Sequence, residues 1–313
     1  MTRNGRTSAV IALCCTVAGV VLVGCEKSGG QSSKADADAS TTTTAPPEQA
    51  AGGSRFTGTK KIKVDGRSVN VSCSGRATEG RPAIVLMHGG GDGLKKMAAL
   101  QKTLSKRERV CSYDRLGAGA SDKPEGPQTL ESTGKVLTSV IERVVGDAPV
   151  VLAGHSLGGL IAARYAPDHR DTVKGLVLMD ATSPTQNADL AQGIPESARG
   201  PAAELRAQTL AILQGKGPGK LTVRDGKVRS AGDIPVEVIK HGKQYLAEVP
   251  EYGPALERAW SKGQHKWLAV SSRSKPSTAT KSGHYIYLDQ PDVAVRAIER
   301  VTTQAGDPAK APQ

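Results

Sequence analysis

The feature that most constrains this chain is an apolar run that ends in a Gly-x-Ser-x-Gly sequence, within residues 150–160. A buried strand, a sharp turn and a helix in this order present a serine hydroxyl at the tip of the turn. Side chains at Gly154 or Gly158 would collide with the neighbouring strand and helix, so both glycines have a packing reason. We therefore predict that Ser156 is a nucleophile. The alternative is a glycine-rich turn without chemistry, in a chain that has 36 glycines.

Strands and helices alternate on both sides of this turn. A hairpin signal comes first, with two alternating segments around a turn dipeptide at 65–66. Residues 83–87 are apolar throughout, as in a strand buried on both faces. Further strands are predicted at 109–114, 173–180 and 234–241, and a last strand is expected at 267–271. Helical spacing is found at 97–104 and 130–145, and a final helix opens at 290–292. This alternation predicts an α/β fold with a mostly parallel sheet and helices on both faces.

Four motifs on these elements together resemble those of the α/β-hydrolase superfamily, and they stand in its order. They are His-Gly-Gly-Gly at 88–91, Tyr-Asp-Arg-Leu-Gly at 113–117, the serine turn at 154–159 and Ser-Gly-His at 282–284. The resemblance covers residues 62–301, apart from a stretch after Asp180. It implies an α/β-hydrolase fold with a twisted sheet, and an enzyme similar to carboxylic ester hydrolases. It also implies a small cap after the sixth strand, at residues 183–233, in which residues 202–213 look helical.

The resemblance also implies which residue is the base that a serine nucleophile needs. His284 lies between the last strand region and the final helix, where this family carries its catalytic histidine, and is interpreted as general base and then general acid. His155 is adjacent to the serine but faces away from a tight turn, so a structural role is predicted. His88 ends a buried strand and is expected to shape the oxyanion loop. The remaining histidines lie in polar contexts and are expected to be exposed, namely His169, His241 and His265.

The sequence offers three candidates for the acid of the triad. The family's chain order is Ser, then Asp or Glu, then His, and the usual acid follows the seventh strand. No aspartate occurs between Asp233 and Asp289, so this chain departs from the common pattern. Asp180, at the end of the sixth strand, is the alternative used by some relatives and is our predicted acid. Glu248 and Glu251 remain open, as does a merely structural role for Asp180 in the turn that follows it.

The oxyanion of acyl transfer needs hydrogen-bond donors. The resemblance implies the backbone N–H of Leu157, just after the nucleophile, and that of Gly90 in the loop after the third strand. Asp114 and Arg115 are interpreted as residues that brace a loop rather than as catalytic groups.

The two cysteines of the domain are expected to pair. The family's sheet order places the second and fourth strands side by side, and Cys73 and Cys111 lie on those strands. The resemblance thus implies a disulfide between them, with free buried thiols as the alternative.

The N-terminal region predicts export. Residues 1–24 have a basic start and an apolar core, and Leu-Val-Gly-Cys at 22–25 resembles the lipobox of bacterial lipoproteins. Cleavage would leave Cys25 lipidated and the protein anchored outside the bacterial cell membrane. An ordinary secretory signal is the alternative. Residues 25–54, rich in Ser, Thr and Pro, predict a disordered tether. The hydrolase domain is then expected at 55–305, and a disordered tail at 306–313.

The composition of the chain limits the classes of partner that it can be expected to bind. The net charge of +12 falls to +10 once Arg3 and Arg6 leave with the signal peptide, and only 3% of residues are aromatic. Scattered charge without a stacking surface argues against nucleic-acid binding. No sequence motif indicates a metal or nucleotide cofactor. The resemblance to α/β-hydrolases implies a small-molecule acyl substrate, and the oligomeric state is left open. Alternatives to hydrolysis are acyl transfer within the same fold and a non-catalytic lipoprotein that binds an envelope component.

Overall fold

The computed structural model describes residues 56–306. Within this range eight strands form one sheet in the order β1-β2-β4-β3-β5-β6-β7-β8. The strands are β1 (Gly58–Val64), β2 (Arg67–Ser74), β3 (Ala83–Met87), β4 (Val110–Tyr113), β5 (Val150–His155), β6 (Val173–Met179), β7 (Val236–His241) and β8 (Ser274–Ala279). Strand β2 is antiparallel to β1 and β4, and the remaining neighbours are parallel. The predicted fold is therefore confirmed.

Helices connect these strands. They are α1 (Ala98–Leu104), α2 (Leu130–Val145), α3 (Leu157–Tyr165), α4 (Gln186–Gly193), α5 (Gly200–Leu213), α6 (Gly253–Lys266), α7 (Ile286–Asp289) and α8 (Pro291–Gly306). Helix α2 has the predicted bounds, because Thr129 and Ser132 form a capping box at its start and Gly146 follows its end. Helix α8 begins at a proline, as expected for a first helical turn.

Side chains from alternate positions of the central strands enter two separate cores. Val85 of β3 packs in one core with Leu137 of α2 and Leu160 of α3. Its neighbour Leu86 points to the opposite face, into a core that includes residues of α1 and α8. Because successive strand residues face opposite sides, a sheet covered by helices on both faces needs the continuous apolar runs that the sequence has.

A third apolar cluster lies over the sheet. It joins α4 and α5, which fall within residues 183–233, to α6 and to the loop after β7, through Leu190, Ala202, Leu246 and Leu256. Residues 183–233 are also attached to the rest of the domain by a bridge between Gln128 and Leu221. The segment that follows β6 thus packs against elements that follow β7 and also, through Leu213 and Val223, against the core that includes α2 and α3.

The predicted last strand at 267–271 is wrong. Trp267–Val270 form a 3-10 helix, and the strand is β8, a few residues later. Trp267 and Val270 are apolar because they are buried in the core, not because they belong to the sheet. Strand β8 pairs on one side only and is mostly exposed, so it has no apolar alternation and even contains Pro276.

Cys73 and Cys111 form a disulfide that joins β2 to β4. The two residues are direct partners in the antiparallel register. Their positions follow from the sheet order that the resemblance implied.

The predicted signal peptide, Cys25 and the tether lie outside the described residues, as does almost all of the predicted tail. Among residues 56–306, no helix is long and apolar enough to cross a membrane.

Candidate active site

The serine turn lies between β5 and α3. Ser156 has a φ of 50°, a left-handed backbone conformation that is rare for residues other than glycine. A Cβ at Gly154 would lie 2.5 Å from backbone atoms at the start of α3, and a Cβ at Gly158 would lie 2.7 Å from the carbonyl oxygen of His88. The turn therefore tolerates no side chain at either position. The Ser156 hydroxyl lies 3.5 Å from that of Thr182.

Asp180 and His284 meet beside this turn. Asp180 directly follows β6, is fully buried, and accepts a hydrogen bond of 2.7 Å from Nδ1 of His284. His284 lies between β8 and α7, and it lines the same cavity as Ser156. The two alternative acids, Glu248 and Glu251, are both exposed. The carboxylate that holds His284 is thus that of Asp180.

The prediction that His241 is exposed is wrong. This histidine ends β7 and is only 6% exposed. Its Nδ1 lies 2.9 Å from each carboxylate oxygen of Asp180, and its Nε2 lies 2.9 Å from Oε2 of Glu257 on α6. The error arose because the polar residues around His241 in the sequence suggested solvent, whereas β7 lies next to β6 and brings His241 to the residue that follows β6.

Several donors surround the carboxylate of Asp180. Besides the two histidines, Nε1 of Trp260 donates to it at 2.9 Å and the backbone N–H of His241 at 3.2 Å. Burial alone would raise the pKa of Asp180, but the hydrogen bonds and charges of His241 and His284 outweigh it and hold the pKa well below its usual value. Asp180 is therefore an anion at neutral pH despite its burial.

His155 supports the segment that carries His284. Its Nε2 donates to the carbonyl oxygen of His284 at 3.0 Å, and the two rings lie 4.5 Å apart between centroids. Burial, with the nearby charge of His284, lowers the pKa of His155 well below its usual value. A neutral, structural His155 agrees with the sequence interpretation.

The loop after β3 is held by buried polar contacts. Nδ1 of His88 donates to the carbonyl oxygen of Gly89 at 2.8 Å, and the Arg115 guanidinium donates to the carbonyl oxygens of both residues. Asp114 accepts hydrogen bonds from the backbone N–H groups of Leu94 and Ala120. These contacts agree with the predicted bracing roles of Asp114 and Arg115.

Gly90 and Leu157 lie next to each other beside the serine turn. A Cβ at Gly90 would lie 3.8 Å from Cδ2 of Leu157, and both residues line the cavity that Ser156 lines. Leu157 is the first residue of α3, where backbone N–H groups have no acceptor within the helix. The two residues predicted to supply oxyanion donors thus line the same cavity as Ser156.

A cavity of about 700 Å³ opens above Ser156. Its apolar wall comes from α2, from α5 and from the segment that follows α5, through Val136, Ile212, Leu213, Leu221 and Val223. Charged side chains at its border include Arg115, Lys216 and Lys220. The cavity is therefore an apolar chamber that residues 183–233 help to close.

The fold and this site agree with a family-level comparison. A sequence model of the alpha/beta hydrolase fold matches residues 82–262, more than half of the chain. The chain belongs to the α/β hydrolase family.

Relatives of this α/β hydrolase include lipases. A (lyso)-N-acylphosphatidylethanolamine lipase of Bos taurus is 33% identical over 145 residues, which is 44% of this chain and 42% of the relative. The Homo sapiens protein of the same name is 32% identical over 146 residues, with the same coverage. The chain therefore matches less than half the length of these relatives.

Solved structures share the fold of this α/β hydrolase. A hydrolase from Pseudomonas aeruginosa PA01 superposes with a TM-score of 0.56 at 19% identity, covering 78% of this chain and 97% of that one. An enol-lactonase from Burkholderia xenovorans LB400 gives a TM-score of 0.53 at 19% identity, covering 78% and 100%. At this level of identity the likeness shows the fold alone.

Other histidines of the α/β hydrolase differ in their surroundings. His265 is exposed, as predicted, whereas His169 is half-buried and stacks on Tyr165 with 3.7 Å between ring centroids, so its predicted exposure is wrong. Among residues 56–306, no group of three or more His, Cys, Asp or Glu side chains is arranged to hold a metal ion.

The sequence interpretation missed three residues of the site, namely His241, Glu257 and Trp260. One signal could have found the first. His241 ends β7, and Asp180 follows the adjacent parallel strand, so both lie at the same edge of the sheet. Polar residues at the carboxyl ends of neighbouring parallel strands converge at that edge. Glu257 and Trp260 gave no such signal, because the position of α6 depends on how it packs over the sheet.

Proposed function

We propose that this chain is a serine hydrolase that cleaves an ester or related acyl bond through an acyl-enzyme on Ser156. His284 is the general base and then the general acid, and Asp180 is the acid that orients it. One observation carries the proposal. Ser156 and His284 line the same cavity, and Nδ1 of His284 is held 2.7 Å from the buried carboxylate of Asp180.

The hydrogen bond to Asp180 fixes the tautomer of His284. With its proton on Nδ1, the imidazole has an unprotonated Nε2 that can take the proton of the Ser156 hydroxyl. The Ser156 oxygen then bonds to the carbonyl carbon of the substrate, whose oxygen becomes an oxyanion. As the tetrahedral intermediate collapses, His284 returns the proton to the leaving alcohol, and the acyl group stays on Ser156.

Water completes the cycle by the same route. His284 removes a proton from a water molecule, the hydroxide attacks the acyl carbon, and the Ser156 oxygen leaves with the proton that His284 returns. The carboxylate of Asp180 stabilises the imidazolium that forms in each half-reaction. The backbone N–H groups of Leu157 and Gly90 would bind the oxyanion, and each such donor is typically worth about 3 kcal/mol of the barrier.

The cavity supports an acyl substrate with an apolar chain. Its exposed wall is largely apolar, and its volume of about 700 Å³ is in the range of sites for small organic ligands. Two of the relatives are named lipases, which agrees with an acyl chain as the bound group. We propose an ester of a fatty acid or of a similar apolar acid as the substrate class.

The test of the proposed function uses the full chain and a fluorophosphonate probe. We expect one stable adduct on Ser156, hydrolysis of p-nitrophenyl butyrate, and loss of both in Ser156→Ala. The adduct should also fail to form in His284→Ala. Ser197→Ala is the matched control, because Ser197 is exposed and should be replaceable without effect. An adduct on another residue, or turnover that survives Ser156→Ala, would show that the proposal is wrong.

A second candidate is transfer of the acyl group to an acceptor other than water. A 1-acylglycerol-3-phosphate O-acyltransferase of Arabidopsis thaliana is 32% identical over 117 residues, which is 36% of this chain and 28% of that protein. Adding methanol or glycerol to the assay separates the two functions. A hydrolase gives mainly the free acid, whereas a transferase gives mainly the new ester.

We also propose that the protein is anchored to the extracytoplasmic face of the bacterial cell membrane through a lipid on Cys25. The support is the lipobox-like sequence at 22–25 and the basic, apolar leader before it. Membrane fractionation of cells tests this proposal. The wild-type protein should sediment with membranes, and Cys25→Ala should not. A wild-type protein that stays in the soluble fraction would overturn it.

A further inference from the structure

Four buried or half-buried side chains form one continuous hydrogen-bonded row across the site. Glu257 of α6 contacts His241 at the end of β7, His241 contacts Asp180 after β6, and Asp180 contacts His284 after β8. A Ser-His-Asp triad needs only the last two of these side chains. His241 and Glu257 are therefore additional groups behind the acid, and their arrangement requires a physical account.

The two ring nitrogens of His241 each face a carboxylate at 2.9 Å. An ionised carboxylate can only accept hydrogen bonds, so both nitrogens must carry a proton for both contacts to be hydrogen bonds. The other partners of the two carboxylates are also donors. Leu246 donates its backbone N–H to Glu257 at 2.7 Å, and Trp260 donates to Asp180. Hence neither carboxylate needs to hold a proton itself.

From this geometry we infer that His241 is a positioning residue, a permanent imidazolium between Glu257 and Asp180 that keeps Asp180 ionised and directed at His284. The inference rests on the proposed function, because the proposed function assigns Asp180 as the acid of a catalytic triad. It adds two charged residues, His241 and Glu257, behind the acid of that triad, and His241 itself does not touch the substrate.

The surroundings of His241 support this charge state. Tyr245 packs edge-on against its ring at 4.8 Å between centroids, and the ring of Trp260 lies at 6.4 Å. The neighbouring Lys240 donates to Ser261 of α6. The charged groups in hydrogen-bond contact with the His241 ring are thus the two carboxylates. Burial lowers the pKa of His241, but its contacts with Asp180 and Glu257 outweigh burial and raise the pKa to about 9.

The charge of His241 matters because two carboxylates share one buried region. With His241 charged, the row carries one net negative charge at rest, and this charge is cancelled when His284 takes the serine proton. Without that positive charge, Glu257 and Asp180 would repel each other across a site of low dielectric, and one of them would tend to take up a proton. A protonated Asp180 stabilises an imidazolium much less well than a carboxylate does.

The first test measures the charge of His241 without any assay of turnover. The full chain is labelled uniformly with 13C and 15N, and the His241 ring signals of the wild-type protein are assigned through bonds from the backbone amide of His241. At pH 7.5 we expect both ring nitrogens of His241 to show the shifts of protonated nitrogen. One protonated and one unprotonated nitrogen would overturn the inference, whatever the outcome of the fluorophosphonate experiment.

The second test compares a variant that changes the net charge of the row with one that restores it. In His241→Gln we expect kcat to fall at least 10-fold and the acidic limb of kcat/KM to move up by roughly one pH unit or more. In the double variant His241→Gln, Glu257→Gln the net charge of the row is restored, so the acidic limb should move back towards the wild-type position. A residue that served only packing would not give this recovery. An unshifted limb in the single variant, or an equal shift in both, would overturn the inference.

The controls are residues of the same type on or near the same helix. His265 and Glu251 are exposed, so His265→Gln and Glu251→Gln should leave the pH profile unchanged. Circular dichroism verifies that His241→Gln folds, and if it does not, the nitrogen shifts of the wild-type protein decide. The proposed function is tested separately, since labelling of Ser156 reports on the nucleophile even if His241 proves to be neutral.

Discussion

Ser156 and Asp180 share an unusual backbone conformation. Their φ values are 50° and 46°, in the left-handed region that residues other than glycine rarely adopt. Such a residue costs about 1–3 kcal/mol and persists where its surroundings hold it. Asp180 is held by the hydrogen bonds of its side chain, and Ser156 by the strand and helix on either side. At the scale of single residues, strain is thus found at two of the three proposed triad members.

Replacing Asp180 tests its proposed role directly. In Asp180→Asn the amide can donate towards His284, which favours the wrong tautomer and removes the charge that stabilises the imidazolium. We expect kcat to fall roughly 10³- to 10⁴-fold, measured with a p-nitrophenyl ester. Glu248→Gln and Glu251→Gln are matched controls and should keep wild-type turnover. Full turnover of Asp180→Asn together with loss in either glutamate variant would reverse the assignment.

The raised pKa of His241 predicts how stability depends on pH. The pKa is about 9 in the folded protein, against 6.5 for an unperturbed histidine. Because the folded protein binds this proton more tightly, the contribution is fully present below pH 6.5 and is lost as the pH rises through about 9. Thermal unfolding followed between pH 6 and pH 10 should therefore show a falling Tm.

The His241→Gln variant should unfold at a lower temperature than the wild type and should lose most of this pH dependence. His265→Gln is the control, because His265 is exposed and should leave the slope as it is in the wild type. A slope that is the same in His241→Gln and in the wild type would contradict the prediction.

At the scale of elements, the contact between β3 and α3 depends on having no side chain at Gly158. A Cβ there would overlap the carbonyl oxygen of Met87 and lie 2.7 Å from that of His88. These are backbone atoms of a central strand and of the loop that follows it, and they cannot move without disturbing the sheet. We expect Gly158→Ala to destabilise the fold by about 1–3 kcal/mol or more, measured by urea unfolding.

Gly126→Ala is the matched control for Gly158→Ala. A Cβ at Gly126 has no neighbour within 4 Å, and its backbone is outside the left-handed region, so the same substitution should be nearly neutral. Equal effects of the two substitutions would show that close packing at the serine turn is not what requires glycine.

The elements that the sequence predicted well are those whose residues carry the signal themselves. Strand β5 and its turn were predictable because burial on both faces demands apolar residues and the close approach of α3 demands glycine. Strand β8 was not, because an exposed edge strand needs neither. The position of His241 was missed for a related reason. Its partners lie 61 and 16 residues away, and their contact is produced by strand order and by the packing of α6.

At the scale of the whole molecule, the segment after β6 closes the cavity and should set the length of acyl chain that is accepted. Ile212 of α5 is half-buried and lines the cavity. In Ile212→Trp the larger ring would fill part of the chamber, so we expect the ratio of kcat/KM for a dodecanoate ester to that for an acetate ester to fall at least 10-fold. Steady-state kinetics on a series of p-nitrophenyl esters measures this ratio.

Gln208→Trp is the matched control for the cavity, because Gln208 lies on the same helix but is exposed. It should leave the chain-length preference unchanged. An unaltered preference in Ile212→Trp would mean that acyl chains bind elsewhere than in the chamber above Ser156.

The disulfide between β2 and β4 has a mechanical consequence. Strand β1 is the first described element of the chain and lies at one edge of the sheet, so a pulling force on its N-terminal end acts first on β1 and then on β2. Without a crosslink, such a load would peel the hairpin from the sheet one strand at a time. The covalent bond between Cys73 and Cys111 instead passes the load to β4, which is paired with the central strand β3. With this bond in place, β2 should remain paired with β4 when a pulling force acts on the N-terminal end of the domain.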